Sequence, residues 1–217
     1  MKKKCPTCKL VNFPDALSCV RCDAVLVESR SDETRTKASG GFLVRTLICA
    51  CVCFAVLLGF YLSLVISAAP LNFEQKSTVR RAISILKEKG FSSEAFLLDN
   101  VTVYRSNDNW LNASVAKENA YAATNFPFEI MTVYPDFFAY PVDDIERAAI
   151  LLHEAEHLKG KNEHDAYEFV WRHRNQLGWT KEKYGHSPVW QNVRKQTQDN
   201  ATNLFICPGS ELKDCTE

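Results

Sequence analysis

Net charge is what this chain of 217 residues lacks: 26 Lys and Arg side chains are matched by 26 Asp and Glu. Without a basic excess there is no electrostatic footprint for nucleic acid, and nucleic acid is not expected as a partner. There is no acidic tail either, which argues against a solvated disordered end. Over one stretch charge is missing altogether. From Thr46 to Ala69 the sequence reads TLICACVCFAVLLGFYLSLVISAA, 24 residues with no ionised side chain. At about 1.5 Å per residue, roughly 20 residues cross the hydrocarbon core of a bilayer. That length is too great for an ordinary buried soluble helix. A cleaved signal peptide fits badly, because the stretch begins more than 40 residues in, behind a folded-looking module. The expectation is one transmembrane helix over 46–69, with the lipid bilayer as its partner.

The nine cysteines fall into three groups that need separate explanations: Cys5, Cys8, Cys19 and Cys22; Cys49, Cys51 and Cys53; Cys207 and Cys215. The first group lies in CPTCKLVNFPDALSCVRC, two C-x-x-C pairs ten residues apart. Each pair turns two sulfurs toward one ion, and two pairs supply the four thiolates of a closed tetrahedral site. Such a site leaves no open position, so its zinc is structural, and in so short a stretch the metal provides the folding energy. With Pro6, Asn12, Ala16 and Leu26, these cysteines make residues 1–26 resemble the short zinc ribbons at the ends of many bacterial membrane and regulatory proteins. That resemblance implies a protein partner for the ribbon. The glycines that often follow the cysteine pairs are absent, and Lys9 and Asp23 stand there instead. Cys49, Cys51 and Cys53 read as small apolar residues of the span.

Residues 27–45 open with VESRSDETRTKASGG and read as a flexible linker. Charge on the two sides of the span is nearly balanced, but Lys2, Lys3, Lys4 and Lys9 favour an N-terminus in the cytoplasm. Four reduced thiolates suit that side, and a Cys207–Cys215 disulfide suits the outside. The expected topology is N-terminus in, C-terminal domain out.

Residues 71–217 form a domain of ordinary size. Val79, Ala82, Ile83, Ile85 and Leu86 recur at helical spacing and stop at Gly90. Residues 128–134, FEIMTVY, alternate as a strand. The chemistry sits in PVDDIERAAILLHEAEHLKGKNEHDAYEFVW. Asp143 is a candidate N-cap with Glu146 as its capping-box partner, and the helix that follows is apolar on most sides. Within it, His153 and His157 lie one turn apart on one face and can turn both imidazoles toward one zinc. Glu154 beside them suits a general base, since zinc brings the pKa of its water to about 7. Gly160 can take the left-handed conformation that ends a helix, and Asn162 can cap the next one. That turn brings either Glu163 or Asp165 back to the metal as third ligand, with Glu163 favoured.

The string from His153 to Glu163 resembles the zincin metallopeptidases. The metzincin branch needs a methionine turn after the ligands, and the only methionines here are Met1 and Met131. The acidic ligand at the head of a following helix looks more like the gluzincins. The resemblance implies an α+β, mainly helical domain with a short sheet, and a strand ahead of the motif helix that pairs with extended substrate. Residues 128–134 are the candidate for that strand. It also implies a membrane-anchored peptidase that hydrolyses a protein or peptide with one catalytic zinc, beside the structural zinc of the ribbon. The rival class is a non-catalytic membrane adaptor that keeps a zincin fold for binding. Tyr167, Tyr184 and His186 are candidates for stabilising the oxyanion. Glu156 turns away from the metal by helical phase and reads as a polar or surface residue, His164 and His173 as surface histidines, and Trp171, Trp179 and Trp190 as core. Asn100, Asn112 and Asn200 match the glycosylation acceptor pattern.

Overall fold

A computed structural model describes residues 2–26, 39–114, 120–207 and 214–216. The protein is mixed α+β and mostly helical, with small sheets. It divides into two units, Met1–Cys53 and Phe54–Glu217.

The first unit carries a two-stranded antiparallel ribbon, β1 (Lys3–Lys4) and β2 (Val11–Asn12). Its core is small: Cys5, Cys19 and Leu26 are buried, while Phe13, Leu17 and Val20 are about 80% exposed. Helix α1 follows at Ser39–Ile66 and crosses from this unit into the second. Among the described residues, α1 is the one helix long and apolar enough to cross a membrane. It starts seven residues before Thr46. The linker expected up to residue 45 is therefore helical from Ser39, and its earlier part, 27–38, lies outside the described residues. No proline separates Ser39 from Thr46, and extending a formed helix costs little.

The second unit packs around one helix. In chain order it contains α2 (Phe73–Glu88), α3 (Ser92–Asn100), β3 (Val103–Arg105), β4 (Ala122–Asn125), β5 (Ile130–Val133), α4 (Pro135–Ala139), α5 (Asp144–Leu158), α6 (Glu163–Leu177), α7 (Lys181–Tyr184) and α8 (Pro188–Asn200). Ala148, Ala149, Ile150, Leu151, Leu152, Ala155 and Leu158 of α5 are all buried, as its nearly continuous apolar sequence requires. They pack against Val79, Ala82 and Leu86 of α2, Ala95 and Leu98 of α3, and Val170 and Trp171 of α6. Trp171 of α6, Trp179 and Trp190 of α8 meet edge-on or tilted, with ring centroids 4.8–6.1 Å apart.

The three-stranded sheet has the order β3-β5-β4, with β3 parallel and β4 antiparallel to β5. This corrects the role expected for residues 128–134. Their strand is only Ile130–Val133, paired on both sides and buried throughout. A strand with no free edge cannot add another. The edge that lies against α5 belongs to β4.

At the far end, a disulfide joins Cys207 to Cys215. Beside it Asp214 accepts hydrogen bonds from Trp171 Nε1 (2.9 Å) and Arg174 (3.1 Å), which fixes the end of the chain to α6.

Candidate metal centre

Two clusters of ligand-type side chains occur among the described residues. In the four-cysteine cluster every sulfur lies within 4.8 Å of the others, with Cys5–Cys22 at 3.6 Å and Cys8–Cys19 at 3.4 Å. A tetrahedral ion with bonds of about 2.3 Å sets sulfurs about 3.8 Å apart, so the spacing fits zinc and not a disulfide. Each pair ends in the same turn. Lys9 N donates to Cys5 O (3.0 Å) and Asp23 N to Cys19 O (2.9 Å). Both residues take positive φ, 64° and 54°. Here a lysine and an aspartate occupy left-handed positions that usually favour glycine. The backbone amide of Arg21, opposed by burial, brings the Cys19 thiol down to about 6.

The second cluster is built by α5, one turn and α6. Asp143 caps α5, its carboxylate accepting from Ile145 N (3.0 Å) and Glu146 N (3.2 Å). Glu146 is not the capping-box partner expected of it. One of its oxygens accepts from Val142 N (3.0 Å). The other accepts from Trp179 Nε1 (3.3 Å) and the Ser187 hydroxyl, which ties α5 to the start of α8. Being wholly buried, it needs those three donors more than the helix end needs it.

Helix α5 ends in a Schellman turn. Lys161 N reaches back to Glu156 O (3.0 Å), and Gly160 N to His157 O (2.9 Å). Gly160 has φ +77°, and an added Cβ would stand 3.5 Å from the Phe126 ring. Asn162 then caps α6, its side chain accepting from Asp165 N (2.9 Å). Glu163 thus becomes the first residue of α6 and points back over α5.

The outcome is a convergence of three ligand atoms. His153 Nε2 and His157 Nε2 are 3.0 Å apart, and the Glu163 carboxylate lies 3.3 and 3.4 Å from them. Bonds of about 2.0–2.1 Å in a tetrahedral site would space such atoms about 3.3 Å apart, so this set also fits zinc. His157 Nδ1 lies 2.9 Å from the Lys161 carbonyl, a hydrogen bond that leaves Nε2 bare for a metal. Burial works against charge on His157. The Glu163 carboxylate, helped by Glu154, outweighs it and pushes the imidazole up to about 9. In turn His153 and then His157 hold Glu163 well below the ordinary carboxylate range. The group attracts positive charge. Asp165 is outside it, turned toward His164 (3.3 Å) on the surface.

Glu154 is buried beside the cluster and accepts a hydrogen bond from Thr124 Oγ1 of β4 at 2.7 Å. The cleft has two lobes. One, about 280 Å³, is lined by Tyr121, Ala122, His153, Glu163, Tyr167 and Val193. The other, about 460 Å³, is lined by Ala123, Thr124, Phe126, His157, Gly160 and Lys161. Glu154 borders both. Of the three oxyanion candidates, Tyr167 lies in the cleft, its ring 4.2 Å from that of His153 and its hydroxyl donating to Gln196 at 2.6 Å. Tyr184 is buried at the other end of α5, donating to Asp143 at 2.7 Å. His186 is exposed and borders neither lobe.

Glu156 is polar but does not lie on the surface. It is buried, and shares the Lys159 ammonium (2.7 Å) with Glu94 of α3. Helical phase showed that it turns away from the cleft, but not that α3 stands there. Thr124, Tyr121 and Gln196 escaped the sequence reading for a plainer reason, since none belongs to a motif. Comparison of the chain with known protein families, with curated proteins and with solved structures finds no match.

Proposed function

We propose that the protein is a membrane-anchored zinc peptidase. The observation that carries this reading is the meeting of His153, His157 and Glu163 in a cleft bordered by the buried Glu154. Zinc held by those three residues would supply Lewis acidity, polarising a peptide carbonyl and making water acidic near neutral pH. Glu154 is the base that takes the proton of the attacking water and returns it to the leaving amine. Thr124 Oγ1, donating to Glu154 Oε2, fixes one oxygen of the base and leaves the other for the water. Extended substrate pairs by main-chain hydrogen bonds with the edge of β4 that carries no strand among the described residues, running between the two lobes. The Tyr167 hydroxyl, kept uncharged by burial, becomes the donor for the oxyanion when substrate draws its one proton away from Gln196 Oε1.

In the four-cysteine module a second zinc is structural. Its exposed Phe13, Leu17 and Val20 form the face for a protein partner. The N-terminus lies in the cytoplasm and the peptidase outside.

The test is Glu154→Gln in the full chain. The expected outcome is two zinc ions per chain, with hydrolysis of a peptide library lowered by about 10²–10⁴-fold. Two zinc ions with no hydrolysis by the unaltered protein would favour the adaptor. One zinc ion, lost on removal of the cysteines, would sink the site.

A further inference from the structure

The domain does not hang from its membrane helix by a tether. It grips the helix directly. Trp110 Nε1 donates to Ser63 Oγ (3.2 Å) and Trp110 N to Ser67 Oγ (3.4 Å). Arg105 Nε donates to the Val65 carbonyl (3.0 Å), and Leu64 is wholly buried. The Phe60 ring packs on both Trp110 (5.5 Å) and Phe128 (5.4 Å). Immediately after the helix, Ala69 N donates to Asn107 (2.6 Å) and Pro70 bridges to Arg105.

The level of this grip can be read from the chain. Counting about 20 residues of hydrocarbon from Thr46 ends the apolar span near Val65. The two serines held by Trp110 lie on either side of that position. Trp110 therefore stands at the depth where tryptophan rings settle in bilayers, at the boundary of headgroups and acyl chains. It remains 49% exposed although it contacts the helix. Two residues before Phe128 is Phe126, 57% exposed, whose ring lies against Gly160 and lines the lobe of the cleft that holds His157. Phe60 of the span thus touches Phe128, and Phe126, two positions away in the same turn, lies against Gly160 and lines one lobe with His157.

We infer that Trp110, Phe126 and Phe128 rest on the bilayer interface as a rim continuous with α1, and that the lobe beside Phe126 opens at that rim. Resting on the peptidase reading, this names the substrate class. It is the juxtamembrane segment of a polypeptide anchored in the same bilayer, cut within a few residues of the surface. A free peptide approaches such a lobe from the side covered by lipid. An anchored chain arrives along the membrane, at a local concentration that a dissolved peptide does not reach.

Two measurements on the full chain in phosphatidylcholine vesicles test the two halves separately. The first reads contact, without activity. Lipids brominated high on the acyl chain should quench part of the tryptophan emission. The quenched part should vanish in Trp110→Phe, because Trp171, Trp179 and Trp190 are buried. Phe126→Trp should add a second quenched component. Quenching unchanged by both substitutions would overturn the rim. The second reads substrate class. One peptide library is presented in three forms: free, joined to a transmembrane polyleucine helix by four residues, and joined by 25 residues. The short anchored form should be cut about tenfold or more faster than the free form, and faster than the long anchored form. Equal rates for the three would overturn the juxtamembrane class and leave the peptidase standing. No cleavage of any form would overturn the peptidase, and with it the substrate class, while the quenching result would still decide the rim.

Discussion

Around Cys5, Cys8, Cys19 and Cys22 the chain buries one aliphatic side chain, Leu26. Around His153, His157 and Glu163 it buries a core that runs from Leu71 to Phe205. In the first region the ligands are the core, and without an ion their sulfurs have little to hold them together. In the second the ligands sit at the rim of a domain already packed. The turn at Gly160, the cap at Asn162 and the carbonyl of Lys161 orient them whether or not an ion is present. The difference teaches that a cluster of ligands can be the core of its fold or be presented by one, depending on how much apolar surface surrounds it.

Removing metal is the strongest way to break this comparison. A tight chelator acting on the full chain in micelles should unfold the four-cysteine module, where a structural zinc is worth about 10–16 kcal/mol. The amides of α5 and α6 should keep their protection from hydrogen exchange. Loss of protection in both regions would mean that the domain, too, folds around its ion. The next largest effect should come from Glu163→Ala. Removing a ligand should weaken zinc binding at the second site beyond the roughly 10–100-fold that loss of a supporting partner costs. Asp165→Ala should leave it unchanged, because that side chain faces His164. Isothermal titration of zinc into the two variants separates them.

A third test asks how far the domain is held by packing alone. Cys207→Ser opens a short covalent loop and should lower stability by about 2.5 kcal/mol on chain entropy. It should also loosen the Asp214 contact with Arg174 and Trp171. Urea unfolding with and without reductant should show the same loss in the unaltered protein. The smallest effect concerns the start of α5. Burial alone would raise the pKa of Asp143, but Tyr184, Lys183 and the helix amides pull it below the ordinary value. A lowered carboxylate pKa stabilises the fold above the unfolded value of about 3.9, and that stability is lost as pH falls through the folded value. Asp143→Ala should cost about 1 kcal/mol near pH 7, and the gap from the unaltered protein should close below about pH 4. Parallel melts across that range check the sign.

The four-cysteine cluster was legible because spacing alone dictates it: two tight turns, one ion. The apolar helix α1 was legible from its uninterrupted composition, although nothing in the sequence marked its start at Ser39. The α5 helix, its cap at Asp143 and its end at Gly160 were legible because each is a local rule. What stayed hidden depends on neighbours distant in sequence. Ala122–Asn125 is four residues long and holds one β-branched side chain, so nothing announces it as the edge beside the cleft. Glu146 reads as a local capping partner and Glu156 as a plain polar residue until Ser187 and Trp179 are brought to the first and Glu94 to the Lys159 that Glu156 holds. The meeting of Trp110 with Ser63 joins residues 47 positions apart and has no pattern at all.

Helix α5 is clamped at both ends, by Glu146 to the start of α8 and by Lys159 to α3, with His153 and His157 between. A helix fixed in this way has no fraying end. Its opening and the opening of the whole domain are one event, so the ligand geometry should be lost on the timescale of global unfolding rather than that of loop motion. Once the site is filled, its ion should come and go through the open cleft, past the exposed Glu163 carboxylate, while the two imidazoles stay in place.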